Sequence, residues 1–327
     1  MVLVDLIAGC AFVGFSLLYL IIYCPLLVAL QRESKSKPTF LLFLSNSLAD
    51  MSAFVQFGAL GVVLLTGVDL SPLLDKIPIR IQYLAYTITY WSPMQWHYTP
   101  IAMLRAVAVI FPKKFDVWFT RRRCLALCGI IWAFGVVLQV PSAFVVEPEA
   151  LFTWSREELG VGPVNLTAFA QSPLPALWTL TTLVGLALPL LAYLTGILAV
   201  TFSKASKAAF RSSSTEQRLA LSCAANFVIY SAALFGQPLV NEAGRWSKLL
   251  YRVLLLHCSA TNGLLLLLLA TKLRRQFIAV LRAFILGKPS SIQVPHAYAA
   301  DFVTHHKQTK TVVYNNYVSA STPAVSP

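Results

Sequence analysis

The sequence predicts an all-α membrane protein: a seven-transmembrane helix bundle with its N-terminus outside and its C-terminus inside. Its composition, its long apolar runs and the placement of its Lys and Arg residues predict this class. Hydrophobic residues make up 57% of the 327 residues, and charged residues only 12%. Soluble globular domains carry about 25% charged residues, so the composition argues against a soluble fold.

Seven apolar runs are long enough to cross a bilayer, because about 20 helical residues span a hydrocarbon core of about 30 Å. The first run begins near Met1 and follows no basic segment, so we interpret it as an uncleaved signal-anchor rather than a removed signal peptide. The expected bounds of the runs are 6–30, 39–67, 79–111, 124–146, 173–202, 219–240 and 249–271.

Basic residues are concentrated in alternate loops. With the N-terminus outside, the inner loops and C-terminal segment hold 19 Lys and Arg residues and the outer segments hold 6, while Arg105 lies within a run. Because positively charged loops stay in the cytoplasm, this asymmetry predicts an odd number of crossings. The basic residues that give the net charge of +13 lie in loops beside apolar helices. This placement favours contact with the lipid bilayer and a cytoplasmic partner over nucleic acid.

Three regions are predicted along the chain. Residues 1–271 form the seven-transmembrane domain. In 272–288, apolar residues recur near helical spacing with basic residues between them, which predicts an amphipathic juxtamembrane helix on the inner leaflet. Residues 289–327 are rich in Ser, Thr, Val and Ala without helical periodicity, which predicts a disordered cytoplasmic tail.

Asp50 and Arg105 are ionisable residues within the predicted spans. A carboxylate at mid-span costs roughly 2.5–3.5 kcal/mol on insertion scales unless it faces the bundle interior. Asn262 in the seventh run is the natural partner of Asp50, with Asn46 or Ser47 behind it, so we predict Asp50 and Asn262 as a buried polar pair. Arg105 either points into the bundle or extends its guanidinium to the inner surface.

The segment that follows Arg105 resembles the end of the third helix in rhodopsin-like G-protein-coupled receptors. A short apolar stretch leads to Pro112, and an aromatic residue stands three positions later. Four further features are similar to the second, fourth, fifth and seventh helices of that superfamily: Leu48-Ala49-Asp50, Trp132 with Pro141, Pro189, and Asn262-Gly263 with Leu266. The resemblance covers about 270 residues, from the first run to the amphipathic segment.

The chain also departs from the superfamily pattern. Leu104 and Ala106 replace the acid and the Tyr that flank the Arg. Gly263 and Leu266 replace the Pro and Tyr of the Asn-Pro-x-x-Tyr motif, and the usual cysteine pair at the outer end of the third helix is missing. These departures, together with the segment 19–25, most resemble the divergent nematode serpentine chemoreceptors.

The resemblance implies a chemosensory-type receptor in the plasma membrane that couples an extracellular ligand to a heterotrimeric G protein. The residues it implies for G-protein coupling are Arg105, Pro112, Lys113 and Lys114. In the superfamily the acid beside the Arg forms an ion pair in the inactive state. Leu104 has no charge to offer, so either carbonyls, hydroxyls or water restrain Arg105, or Arg105 is less restrained, which would favour basal activity.

Aromatic residues crowd the outer half of the third run, and we expect Tyr230 and Tyr251 of the sixth and seventh runs to face them. They either line a ligand pocket or pack as anchors, and the sequence leaves both open; His97 is also typical of a buried, hydrogen-bonded histidine. No acid occupies the outer half of a span, so a small neutral or anionic ligand is favoured over a cationic amine, and no cofactor is expected. The candidate ligand-binding residues are Tyr86, Thr87, Tyr90, Trp91, Trp96, His97, Tyr230 and Tyr251.

The remaining motifs are few. Asn165 begins a sequon for N-glycosylation in a predicted outer loop, although such triplets also arise by chance. The six cysteines lack metal-type spacing with His, so we predict neither disulfides nor a metal site, and no catalytic arrangement indicates an enzyme. The alternative to a receptor is a seven-helix transporter or channel subunit that uses Asp50, His97 and Arg105 as a polar pathway, but transporters usually show internal repeats.

Overall fold

The computed structural model describes residues 3–67, 77–203, 214–241 and 244–286. The chain divides into two compact units, 1–281 and 282–327. Of the second unit, only residues 282–286 are described, as the end of the last helix. The predicted tail, 289–327, lies outside the described residues.

The described residues are almost entirely helical. A π-helical turn, Thr87–Trp91, joins α3 to α4, and a 3-10 turn, Pro148–Ala150, follows α6. Between that turn and α7, β1 (Phe152–Ser155) pairs antiparallel with β2 (Gly160–Pro163). The helices are α1 (Leu3–Ser36), α2 (Phe40–Thr66), α3 (Ile79–Tyr86), α4 (Ser92–Ile110), α5 (Pro112–Trp118), α6 (Arg121–Val145), α7 (Leu166–Gln171), α8 (Leu174–Phe202), α9 (Ser214–Asn241), α10 (Arg245–Leu269) and α11 (Thr271–Leu286).

Six helical stretches in the described part of the chain are long and apolar enough to cross a membrane: α1, α2, α6, α8, α10 and residues Leu219–Gly236 of α9. They confirm a helical, multi-pass membrane protein. The third predicted run, 79–111, is divided into α3, the π turn and α4, and it carries polar residues such as Gln95 and Arg105. The seventh crossing and the orientation of the termini stay predictions.

Pro93 explains why a π turn stands between α3 and α4. Proline has no backbone N–H, and its ring crowds the carbonyl four residues earlier, so the carbonyl oxygen of Thr89 loses its usual helical donor. The Ser52 hydroxyl of α2 hydrogen-bonds to that oxygen instead. Since a turn closed over five residues holds one residue more than an α-helical turn, side chains beyond it are rotated by about 100°.

Helices α1 and α2 pack closely along their lengths through small residues. A Cβ atom on Gly61 would lie 2.8 Å from the backbone nitrogen of Val13 and 3.0 Å from the carbonyl oxygen of Gly9. Such contacts leave no space for a side chain. Close backbone packing is a main source of helix association in membranes, because lipid tails are as apolar as the helices themselves.

We expect Gly61→Ala to destabilise the purified protein by about 1–3 kcal/mol, the usual cost of overpacking. The midpoint of thermal unfolding in detergent, followed by circular dichroism, should fall. The matched control is Gly129→Ala on α6, because nothing lies within 4 Å of a Cβ atom there. Equal midpoints for the two variants would contradict the close packing of α1 on α2.

Charged side chains tie the β-hairpin to the bundle. Asp5 in the first turn of α1 is buried, and it pairs with Arg156 in the hairpin turn at 3.0 Å and with Arg245 at the start of α10. Lys248 of α10 pairs with Glu158 at 2.6 Å. All six cysteines are free, so ion pairs, hydrogen bonds and the packing of Leu159 and Val161 in the core hold the hairpin in place. We call this end of the bundle the hairpin end, and the opposite end, where α5 lies, the basic end.

Candidate ligand and coupling sites

A tyrosine hydroxyl joins α1, α2 and α10 inside the bundle. The Tyr23 hydroxyl lies 2.9 Å from the carbonyl oxygen of Ser259 and 3.3 Å from Oδ2 of Asp50. It accepts the backbone N–H of Gly263 at 3.0 Å, and Nδ2 of Asn46 donates to the same carboxylate oxygen of Asp50 at 3.4 Å. The buried carboxylate is therefore satisfied within a polar hub, which we define as Tyr23, Asn46, Asp50 and Gly263.

Asn262, the predicted partner of Asp50, lies close enough to interact with its carboxylate. Its Nδ2, however, does not meet hydrogen-bond geometry with any described acceptor. The residue that sequence reasoning missed is Tyr23. Gly263 is the signal that points to it, because a Cβ atom on Gly263 would lie 2.6 Å from Cζ of Tyr23, and only glycine leaves room for the ring.

Buried tyrosines from three parts of the chain meet towards the hairpin end. The rings of Tyr86 and Tyr90 pack with centroids 5.6 Å apart. Tyr230 of α9 and Tyr251 of α10 lie close enough to interact electrostatically with both. The buried hydroxyl of Tyr230 makes no hydrogen bond to a described residue, and the buried hydroxyl of Tyr90 lies near the Ser259 side chain without meeting hydrogen-bond geometry. The site thus holds polar groups that the described protein atoms leave unsatisfied.

Tyr98 belongs to the same site, although it was not among the predicted residues. Its ring stacks on Tyr230 with centroids 4.7 Å apart, and its hydroxyl accepts a hydrogen bond from Nδ2 of Asn226 at 3.1 Å. In a regular helix, the residue seven positions after Tyr90 would share its face, and that residue is His97. Because the π turn holds one extra residue, the next residue, Tyr98, faces the site instead. The tyrosine cluster is therefore Tyr86, Tyr90, Tyr98, Tyr230 and Tyr251.

Trp96 and His97, also predicted for the pocket, lie against other helices. Trp96 packs edge-on against Phe134 of α6, with centroids 4.7 Å apart. The ring of the fully buried His97 hydrogen-bonds to the carbonyl of Pro93 and, at 2.8 Å, to the hydroxyl of Ser45. Both ring nitrogens have partners, which is typical of a structural histidine. These two side chains join α4 to α2 and α6.

Thr87 and Trp91 lie in the π turn that carries Tyr90. The Thr87 hydroxyl donates to the carbonyl of Tyr83, one helical turn earlier, at 2.8 Å. Trp91 stacks on Trp178 of α8 at 4.9 Å, and Trp178 stacks on Phe152 of β1 at 4.6 Å. A continuous aromatic stack therefore links the π turn to the hairpin.

Towards the basic end, Arg105 points into the bundle. Its side chain is 4% exposed, and its guanidinium carbon lies 5.5 Å from the centroid of the Phe43 ring on α2. Its charge also lies near the Tyr193 hydroxyl on α8. The neighbouring Leu104 is buried and offers no counter-charge. The guanidinium is therefore held between helices, where its position depends on how they pack.

An exposed basic segment follows Arg105. Helix α4 ends at Ile110, and Pro112 is the first residue of α5. Lys113 and Lys114 are exposed, and Nζ of Lys114 lies 5.8 Å from the centroid of the Trp118 ring. The three arginines that begin α6 are exposed as well. This surface carries enough positive charge to bind anionic lipid or an acidic partner.

Asn165 is the N-cap of α7. Its Oδ1 accepts hydrogen bonds from the backbone N–H groups of Thr167 at 2.9 Å and Ala168 at 3.2 Å. The side chain is exposed, and the cap does not use the amide nitrogen to which a glycan would attach. Glycosylation of Asn165 stays a prediction.

Comparison with known families matches residues 9–283 to the family described as "Serpentine type 7TM GPCR chemoreceptor Srv". The match confirms the resemblance to nematode serpentine chemoreceptors. It spans α1 to α11, and so includes the tyrosine cluster, the polar hub and Arg105. No curated protein matches the sequence.

Proposed function

Because the chain belongs to the Srv family of serpentine seven-transmembrane chemoreceptors, we propose that it binds a small neutral or anionic ligand at the tyrosine cluster and signals to a heterotrimeric G protein from its basic end. The observation that carries the proposal is the pair of buried hydroxyls, Tyr90 and Tyr230, without hydrogen-bond partners among the described residues. A buried polar group left unsatisfied costs about 1–3 kcal/mol. A ligand that hydrogen-bonds to these hydroxyls recovers that free energy.

Coupling is assigned to Arg105 and the basic segment after it. Arg105 contacts α2 and lies near α8, so a ligand that shifts α4, α9 or α10 at the cluster changes the packing around the guanidinium. Arg suits this role because its planar group stays charged and bonds carbonyl oxygens in a fixed fork. Pro112, Lys113 and Lys114 then face the G protein and the lipid headgroups.

The arrangement of the polar residues supports a receptor over the transporter alternative. Asp50 bonds to Tyr23 and Asn46, whereas His97 bonds to Ser45 and the carbonyl of Pro93. Among the described residues these two groups share no hydrogen-bond partner. A proton or ion pathway through Asp50, His97 and Arg105 would need such a connection.

The proposed topology has seven crossings in the plasma membrane, with α3, the π turn and α4 as the third. The hairpin end then lies outside the cell and the basic end inside. We expect a C-terminal tag to be reachable by antibody only after permeabilisation, and glycosidase to increase the electrophoretic mobility if Asn165 is used. A matched N-terminal tag should be reachable on intact cells. A C-terminal tag that is stained without permeabilisation would reverse the orientation.

The ligand site is tested by a screen and two substitutions. Cells expressing the chain are exposed to a panel of small neutral, anionic and cationic molecules, with cytosolic calcium or cyclic nucleotide as the readout. For an active molecule, Tyr90→Phe and Tyr230→Phe should each weaken potency about three- to tenfold, as expected for a lost hydrogen bond.

Tyr83→Phe is the matched control. The Tyr83 hydroxyl already donates to Oε1 of Gln139 at 2.7 Å, so its loss should lower surface expression and leave potency unchanged at equal receptor density. Agonists that are all cationic amines, or potencies indifferent to Tyr90→Phe and Tyr230→Phe, would contradict the proposed site.

A further inference from the structure

A cavity of about 580 Å³ lies between the hairpin, α8, α9 and α10. This volume is within the range of about 300–1,000 Å³ that holds small-molecule ligands. Trp91 and Trp178, which stack on each other, belong to its lining, as do Phe152 and Phe169 on the hairpin side. The lining is therefore mostly apolar and includes several aromatic rings, so the cavity takes an apolar body more readily than a polar one.

The cavity opens sideways between α8 and α9. Helix α8 packs closely along α4 but scarcely touches α9. Leu183 of α8 and Phe235 of α9 line the cavity, yet they are 56% and 68% exposed. Exposed apolar side chains on spanning helices face lipid tails. The gap between the two helices therefore leads from the bilayer into the cavity.

One cation at the cavity wall has no carboxylate partner in the described part of the chain. Arg252 of α10 lines the cavity, and its Nη2 donates to the carbonyl of Val161 at 2.8 Å. Glu158 lines the same cavity but pairs with Lys248 at 2.6 Å. The three charges therefore leave a net positive wall at the hairpin side, above an apolar interior.

From this arrangement we infer that this cavity, whose lining includes none of the cluster tyrosines, binds a single-chain amphiphile with an anionic head, which enters from the outer leaflet between α8 and α9. The head pairs with Arg252, and the apolar chain lies along Trp91 and Trp178 towards the gap at Leu183 and Phe235. The inference rests on the proposed function for its orientation in the membrane, and it adds a ligand site that is separate from the tyrosine cluster. A carboxylate suits the guanidinium because the two groups form paired hydrogen bonds.

Binding is measured on the full chain in phosphatidylcholine nanodiscs, with tritiated dodecanoate as the probe and empty nanodiscs as the blank. At about pH 8 the carboxylate of the probe is charged. We expect saturable binding that unlabelled dodecanoate displaces, that dodecanol displaces about tenfold less well, and that butyrate does not displace. The ratio reflects the loss of a charge-assisted hydrogen bond.

Two substitutions have matched controls. Arg252→Gln should weaken dodecanoate binding about tenfold, whereas Arg80→Gln should not, because Arg80 also donates to a backbone carbonyl at 2.8 Å but does not line the cavity. Leu183→Trp should slow uptake of the probe several-fold by narrowing the gap. Leu180→Trp, on the same helix at 61% exposure and outside the lining, should not.

Absence of saturable binding, or binding unchanged by Arg252→Gln, would overturn the ligand class. Uptake unchanged by Leu183→Trp would overturn the lateral route. The assay contains no G protein, so a failure of signalling does not affect it. Conversely, a different agonist that signals through Tyr90 and Tyr230 while dodecanoate does not bind would overturn this inference and leave the receptor function standing.

Discussion

Arg105→Ala is expected to abolish G-protein signalling while surface expression and ligand binding persist. The guanidinium lies between helices at the basic end, 5.5 Å from the Phe43 ring, and not in the tyrosine cluster. Its loss removes a charged, fork-shaped donor that no neighbouring side chain replaces, since Leu104 and Ala106 flank it. The measurement compares maximal agonist response at matched surface density.

Removing the exposed lysines should reduce signalling less than removing Arg105 does. Lys113→Ala combined with Lys114→Ala should only weaken the response, because exposed charges contribute little individually. Leu104→Asp should lower basal activity by giving Arg105 an adjacent carboxylate. Normal signalling by Arg105→Ala at equal surface density would contradict the role of Arg105 in coupling and would favour a transporter or channel instead.

Gly263→Ala is expected to be the most damaging single-methyl change in the bundle. The added Cβ would lie 2.6 Å from Cζ and 2.7 Å from the hydroxyl of Tyr23, and 2.8 Å from Cδ2 of Leu26. The Tyr23 ring must move, and the polar hub then loses the hydroxyl that bonds to Asp50 and to the backbone of α10. Overpacking and a broken buried network together cost roughly 2–6 kcal/mol, enough to remove most properly folded receptor.

Folded receptor is measured by surface staining and by size-exclusion chromatography in detergent. Gly236→Ala on α9 is the matched control, because nothing lies within 4 Å of a Cβ atom at that position. Tyr23→Leu relieves the clash but forfeits the hydroxyl, so the double variant Tyr23→Leu with Gly263→Ala should cost less than the sum of the single changes. Strict additivity would show that the two residues do not touch.

The spanning helices could be predicted because each depends only on its own segment of sequence, which is a run of apolar residues long enough to cross a bilayer. Six of those runs appear as long apolar helices in the described part of the chain. The third run was harder, since its register depends on a π turn caused by Pro93 and supported from another helix by Ser52. The extra residue in the π turn directs Tyr98 towards Tyr230 and His97 towards Ser45. This change of register cannot be predicted from the hydrophobic pattern of the run.

The partner of Asp50 illustrates a second limit. Asn262 is predicted because the buried carboxylate needs a polar partner in another span, and it does lie beside the carboxylate. Tyr23, however, reaches Asp50 from a helix whose pattern shows no polar face, so the contact follows from how α1 crosses α10. The glycine at 263, where the superfamily has Pro, is explained only by that crossing, because the Tyr23 ring occupies the space that a side chain would need.

The ionic attachment of the hairpin has a consequence for how the receptor is made and handled. With all six cysteines free, the hairpin needs no oxidant to close, so synthesis in a reducing cell-free system should yield the native hairpin. The ion pairs that attach the hairpin are also reversible, and they differ in exposure to solvent. Salt should weaken the Lys248–Glu158 pair, in which both side chains are partly exposed, before it weakens the pairs of Asp5, whose side chain is 3% exposed.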